Sequence, residues 1–163
     1  MVSTAAFSDE VLKELGKLMV NYLTVDYLVT TCVAALTDPE NQEAARKALE
    51  TDRSTQMLGG KLKRLRELVS KNARERNLDE PRRELDEVVA RMRNAIDKRN
   101  HLVHGSLDFQ VGKPVSTFNN IDLAVTIEEI ASIRDELAQA DLALLNWFAT
   151  YWNKYNSRLA SYP

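Results

Sequence analysis

Apolar residues recur at alternating steps of three and four along most of this chain, the spacing of one helical face. From about Ser8 to Leu36 the series Leu12, Leu15, Met19, Tyr22, Asp26, Val29, Val33, Leu36 runs as a heptad seam, apolar except at Asp26. Val20, Leu23, Tyr27 and Ala34 form a second stripe. A helix apolar on two sides is expected to pack on two sides, against its own bundle and against another subunit. Ser8 is placed to cap it, with Asp9 and Glu10 suiting the positive end of the helix dipole.

Asp38-Pro39-Glu40 predicts a cap followed by proline at the first helical position, opening a short helix to about Glu50. A third helix is expected from near Ser54, carrying Leu58, Leu62, Leu65, Leu68 and Val69. Gly59-Gly60 inside it calls for either a close neighbouring helix or a kink. Leu78-Asp79-Glu80-Pro81 opens a fourth, running to about His104, with Gly105 where a left-handed residue ends a helix. From Ser106 to Asn120 the pattern changes: Leu107, Phe109 and Val111 alternate before Gly112-Lys113-Pro114, as in a small hairpin or an ordered loop. Thr126-Ile127-Glu128-Glu129 is a capping box for a last long helix with Ile130, Ile133, Leu137, Leu144, Phe148, Tyr151 and Tyr155. The expected fold class is all-α, a bundle of about four to five helices with a short hairpin or ordered loop at about 106–120.

Composition adds bounds to that picture. The 163 residues fit a single domain, 1–163, and five Gly with four Pro are too few for a many-turned β-sandwich. The lone Cys32 lies in an apolar run and suits a reducing compartment. No signal-peptide pattern opens the chain, and apolar stretches are broken by Asp, Asn or Thr before the roughly 20 residues a membrane span needs, so a cytoplasmic protein is expected. There is no P-loop, Gly-rich dinucleotide turn, cysteine pair or Gly-x-Ser-x-Gly elbow, and no cofactor is expected. The net charge is −2, yet Lys61 to Arg99 holds 13 Lys/Arg against 8 Asp/Glu. An evenly solvated bundle accommodates that surplus; so does a local basic zone that receives a phosphate backbone.

The concentrated chemistry lies at the end of the fourth helix. Leu85, Val88, Met92, Ala95, Ile96, Leu102 and Val103 share a face there, and Arg99 falls in its middle. A guanidinium cannot shed its charge, so in an apolar stripe it needs a carboxylate, carbonyls or a ligand phosphate, unless it snorkels from the edge. Asp26, the one charge in the first helix's seam, is the candidate structural partner. The only histidines, His101 and His104, lie in the last turn, where the negative end of the dipole favours them. His104 and Asn100 share a flank, whereas Arg99 and His104 are about 140° apart on an ideal helix. One site can use both only if the Arg arm reaches round, the last turn unwinds, or a second subunit contributes. His101 and His104 at i,i+3 lack a third ligand, since Asp97 is a full turn away, so no metal is expected.

Arg99-Asn100-His101-Leu102-Val103-His104-Gly105 resembles the Arg-polar-three-residues-His motif of the HEPN superfamily, the higher eukaryote and prokaryote nucleotide-binding domains. The likeness covers the architecture of nearly the whole chain, but residue identity only in this heptapeptide. It implies a helical bundle, usually a homodimer with two motifs facing across a cleft. Many members are metal-independent ribonucleases acting as toxins or in phage defence. Others are inactive nucleotide- or RNA-binding or interaction modules, or partner a small nucleotidyltransferase. Carried over, Arg99 and His104 are the catalytic pair and Asn100 the supporting polar residue; Lys98 and His101 are assigned as RNA contacts outside the family pattern. The implied partners are RNA, a second copy, and a nucleotidyltransferase-type or other small antitoxin. The residue types suit the chemistry: RNA cleavage without metal uses the 2′-hydroxyl as nucleophile, an imidazole to move protons, and a planar cation to stabilise charge on phosphate oxygens.

Overall fold

The computed structural model describes residues 7–76, 79–104, 106–110, 113–118 and 121–159. Five helices account for most of it: α1 Asp9–Thr37, α2 Gln42–Thr51, α3 Leu58–Arg76, α4 Asp79–His104 and α5 Ile127–Leu159. The all-α bundle expected from the periodicity is the observed architecture. Between α4 and α5 lies a small antiparallel meander of β1 Ser106–Gln110, β2 Lys113–Phe118 and β3 Ile121–Ala124, in the order β1-β2-β3. Its first hairpin pairs Phe109 with Pro114 and Gln110 with Lys113, and its second pairs Phe118 with Ile121. The segment thus carries one strand more than a single hairpin, because Ile121 to Ala124 returns along β2, which also packs against α4. Gly105 and Leu78, expected at helix ends, lie outside the described residues.

Local chemistry explains where the helices begin. The Val11 amide donates to Ser8 Oγ at 3.3 Å, and the Glu129 amide to Thr126 Oγ1 at 3.1 Å, satisfying first-turn donors of α1 and α5. At α2 the expected proline start is displaced. Asp38 accepts from the amides of Glu40 and Asn41, making a turn, and Asn41 then caps the helix by accepting from Ala44. α3 starts at Leu58 rather than near Ser54, so Gly59 and Gly60 occupy its first turn.

The reason for one of those glycines is neither a neighbouring helix nor a kink. A Cβ on Gly60 would lie 1.8 Å from the carbonyl oxygen of Ser54, in the loop that folds back over the start of α3. Gly59 faces open space.

The core is built from Leu18, Val25, Val29 and Val33 of α1, Leu62, Leu65 and Val69 of α3, Leu85, Val89 and Met92 of α4, and Ile130, Ile133, Leu137 and Leu144 of α5; of these, Leu18, Val25 and Val89 lie outside the predicted stripes. Each fully buried side chain of this size contributes roughly 1.5–3 kcal/mol. α4 runs antiparallel to α5, since Lys98 meets Glu136 at one end while Trp147 donates to the Pro81 carbonyl at the other. Cys32 is buried, and desolvation pushes its thiol up to about 12.

α1 is long and apolar enough to cross a membrane by length and composition, with a mean hydropathy of 1.4 over its apolar window, despite the polar interruptions. One of its two apolar sides is core. Of the second stripe, Ala34 is buried, while Val20, Leu23 and Tyr27 are each about 60% exposed; Leu12, which opens the heptad seam, is half exposed beside them.

The two glycines should respond in opposite directions. Gly60→Ala is expected to destabilise by about 1–3 kcal/mol or more, because backbone must move, whereas Gly59→Ala should stabilise by roughly 0.5–1 kcal/mol through helix propensity. Urea unfolding of the two variants measures both; equal effects would contradict the close approach at Ser54.

Candidate site at the end of the fourth helix

α4 buries Leu85, Val89, Met92, Ile96 and then Arg99, continuing the same face with a cation 6% exposed. The partner expected for it is not the one it has. Asp26 gives both carboxylate oxygens to Lys61 Nζ, at 2.9 and 2.8 Å, and Lys61 is itself 5% exposed. Lys61 lies at the edge of the α3 stripe, and its compact ammonium bridges α3 to the Asp26 carboxylate on α1.

Arg99 is instead held by neutral groups. Nη1 donates to Asn100 Oδ1 at 2.9 Å, Nη2 lies 2.9 Å from the Met19 sulfur, and the guanidinium carbon stands 4.0 Å from the centre of the Tyr22 ring. Its Nε is buried with no hydrogen-bond partner among the described residues. Desolvation lowers the Arg99 pKa from its ordinary value, and interaction with Tyr22 opposes the shift. The Tyr22 phenol is raised by burial first, is raised further by the charge of Asp26, and is pulled back by Arg99. Tyr22 therefore separates the two charges that the sequence pattern suggested would meet.

The other residues of the motif fall on different sides of α4. Asn100 is half-buried and lines a pocket of about 440 Å³ with Tyr22, Leu58, Gly59, Leu62 and Arg93. Arg99 lies behind that wall, gripped by two of its members. His104 is exposed at the last residue of the helix. No contact among the described residues joins it to Arg99, in keeping with their wide angular separation.

The two expected RNA contacts are corrected by their surroundings. His101 is buried, 8% exposed, so it is part of the packed side of α4 rather than a surface contact. Lys98 is half-buried and its ammonium is 2.6 Å from Glu136 of α5, which neutralises it. No group of three metal-ligating side chains is found among the described residues.

Sequence reasoning missed Lys61, Met19 and Tyr22 as site residues. Met19 and Tyr22 were visible only as members of an apolar seam. A Lys beside a leucine stripe carries no signal until its partner helix is known.

The Asp26–Lys61 pair gives a stability test. Asp26→Ala strands a buried ammonium, and breaking such a pair from one side costs roughly 3–5 kcal/mol; the partly exposed Asp26 places this variant near the lower end. Asp9→Ala, at the exposed first turn, should change stability by no more than about 0.5 kcal/mol. Adding Lys61→Met to Asp26→Ala should recover stability in thermal or urea unfolding, and a double variant weaker than the single one would show that Lys61 does not depend on Asp26.

Family models, curated proteins and solved structures give no match to this chain.

Proposed function

We propose that the chain is a metal-independent endoribonuclease of the toxin or phage-defence type, with Arg99 and His104 as the catalytic pair and Asn100 in support. The observation that carries this reading is a buried guanidinium with no carboxylate partner among the described residues, at the end of a helix whose last residue is an exposed histidine. Neutral partners compensate a desolvated cation only in part, whereas a phosphate oxygen does so with charge-assisted hydrogen bonds. In this reading Asn100 releases Nη1 as the scissile phosphate arrives, and Arg99 stabilises negative charge on its non-bridging oxygens. His104 moves protons between the 2′-hydroxyl and the leaving 5′-oxygen.

A second copy belongs to the same proposal. The exposed side of α1, with Leu12, Val20, Leu23 and Tyr27, is apolar over several turns and adjoins the helix face that holds Arg99 through Met19 and Tyr22. A two-fold pair across this surface would cover it and could bring one protomer's His104 toward the partner's phosphate site. Light scattering at micromolar concentration is expected to give about twice 18.5 kDa, and Leu23→Glu should return the mass to that of one chain. A wild-type monomer would remove the shared site.

The alternative is a catalytically silent RNA-binding or interaction module, which one observation favours: Arg99 is almost covered and turned toward α1, away from His104. Cleavage decides between them. Purified protein should cut single-stranded RNA in excess chelator and leave 2′,3′-cyclic phosphate ends. His104→Ala and Arg99→Ala should each lower the rate by about 10²-fold or more while helical content is retained. Cutting that disappears with chelator, or that survives His104→Ala, would exclude the mechanism; no cutting at all would establish the silent module.

A further inference from the structure

α4 turns a second face toward α3, and it carries a different chemistry from the Arg99 side. Arg82, Asp86, Arg93, Asp97, Asn100 and His104 follow one another at steps of three, four and seven, within about 60° on an ideal helix. Two separate grooves lie along this face, one toward each end of the α3–α4 seam. At the Asn100 end, Arg93, Asp97 and Asn100 oppose Leu58 and Leu62. At the other end, Arg82 and Asp86 oppose Lys63, Arg66, Lys71 and Arg74 in a groove of about 640 Å³.

This second groove is strongly basic in a chain whose net charge is −2. Five cations line it, Lys63, Arg66, Lys71, Arg74 and Arg82, against Glu67 and Asp86. Arg66 and Asp86 neutralise each other across the seam at 2.6 Å, and Glu67 is shared between Lys63 and Arg64 at 4.0 and 3.7 Å. Lys71, Arg74 and Arg82 are exposed and have no ion-pair partner among the described residues. Arg93, farther along the same face, is exposed and likewise unpaired among them. Like charges held together in this way raise the cost of the empty groove and favour a polyanion.

We infer that the α3–α4 seam is a binding track for the phosphate backbone of single-stranded RNA, running from Lys71, Arg74 and Arg82 past Arg93 to Asn100 and His104. The inference rests on the endoribonuclease reading for the identity of the polyanion and extends it by giving the strand a path. From Arg82 to His104 the rise along α4 is about 33 Å, which spans about ten stacked nucleotides at roughly 3.4 Å each. Exposed Met57 and half-buried Tyr22 at the Asn100 end offer apolar and aromatic contact for a base, while the far end offers charge alone. The scissile phosphate therefore lies at one end of the footprint, and affinity comes mainly from the other.

A fluorescein-labelled, twelve-nucleotide 2′-O-methyl oligoribonucleotide of mixed sequence tests this without cleavage, because it has no free 2′-hydroxyl. Wild-type protein should bind it with an affinity that falls as salt rises, by anisotropy. Arg74→Glu combined with Arg82→Glu should weaken binding about tenfold or more at low salt and reduce the slope of log affinity against log salt by about 1.4, or roughly 0.7 per lost phosphate contact. Lys47→Glu, a charge reversal on the exposed side of α2 away from both grooves, should bind as wild type does. Unchanged affinity and slope in the charge-reversed protein, or no binding by the wild type, would overturn the track. So would equal displacement by a polyglutamate peptide of the same charge, which would mark a general anion surface. A protein that binds through these residues but never cuts RNA would refute the catalytic reading and leave the track standing. One that cuts with an unchanged KM after charge reversal would do the opposite.

Discussion

The constraint on which the rest of this molecule depends is the burial of Arg99 without a counter-charge among the described residues. Desolvating a cation costs several kcal/mol even after relaxation. The groups around it return less: a cation–π contact on Tyr22 is worth up to about 2 kcal/mol when desolvated, and a neutral hydrogen bond to Asn100 about 1 kcal/mol. Asp26, the carboxylate that shares an apolar stripe with Met19 and Tyr22, is engaged by Lys61 instead. α1 is thereby tied to both neighbours at one level of the bundle, by a closed ion pair to α3 and by an open cation site to α4. The closed pair is a structural joint. The open one retains the capacity to take an anion.

The helical architecture was legible because it depends on periodicity and caps, which are local. Ser8 and Thr126 act through amides three residues away, and the central position of Arg99 on α4 follows from counting alone. What was illegible depended on neighbours far along the chain. Asp26 and Arg99 each occupied an apolar stripe, and pairing them was the simplest account of both. The chain had a third charge, Lys61, whose position at a stripe edge gave no reason to prefer it. The reason for Gly60 was equally hidden, since the Ser54 carbonyl reaches it only through the fold of an irregular loop. In the meander the second hairpin was missed because its strands are short and Pro114 interrupts the alternation.

Adjacent residues on a helix point about 100° apart, so Arg99 and Asn100 cannot share a surroundings, and the site is layered as a result. Arg99 looks inward to Met19 and Tyr22, while Asn100 looks out to the α3–α4 pocket. A strand lying in that pocket meets Asn100 and Tyr22 first and reaches the guanidinium only by displacing the amide oxygen that holds it. The hydrogen bond from Arg99 Nη1 to Asn100 Oδ1 supports the guanidinium and, in the proposed function, is the contact a phosphate replaces. That arrangement discriminates against neutral ligands, because only an anion offers the guanidinium more than the amide does.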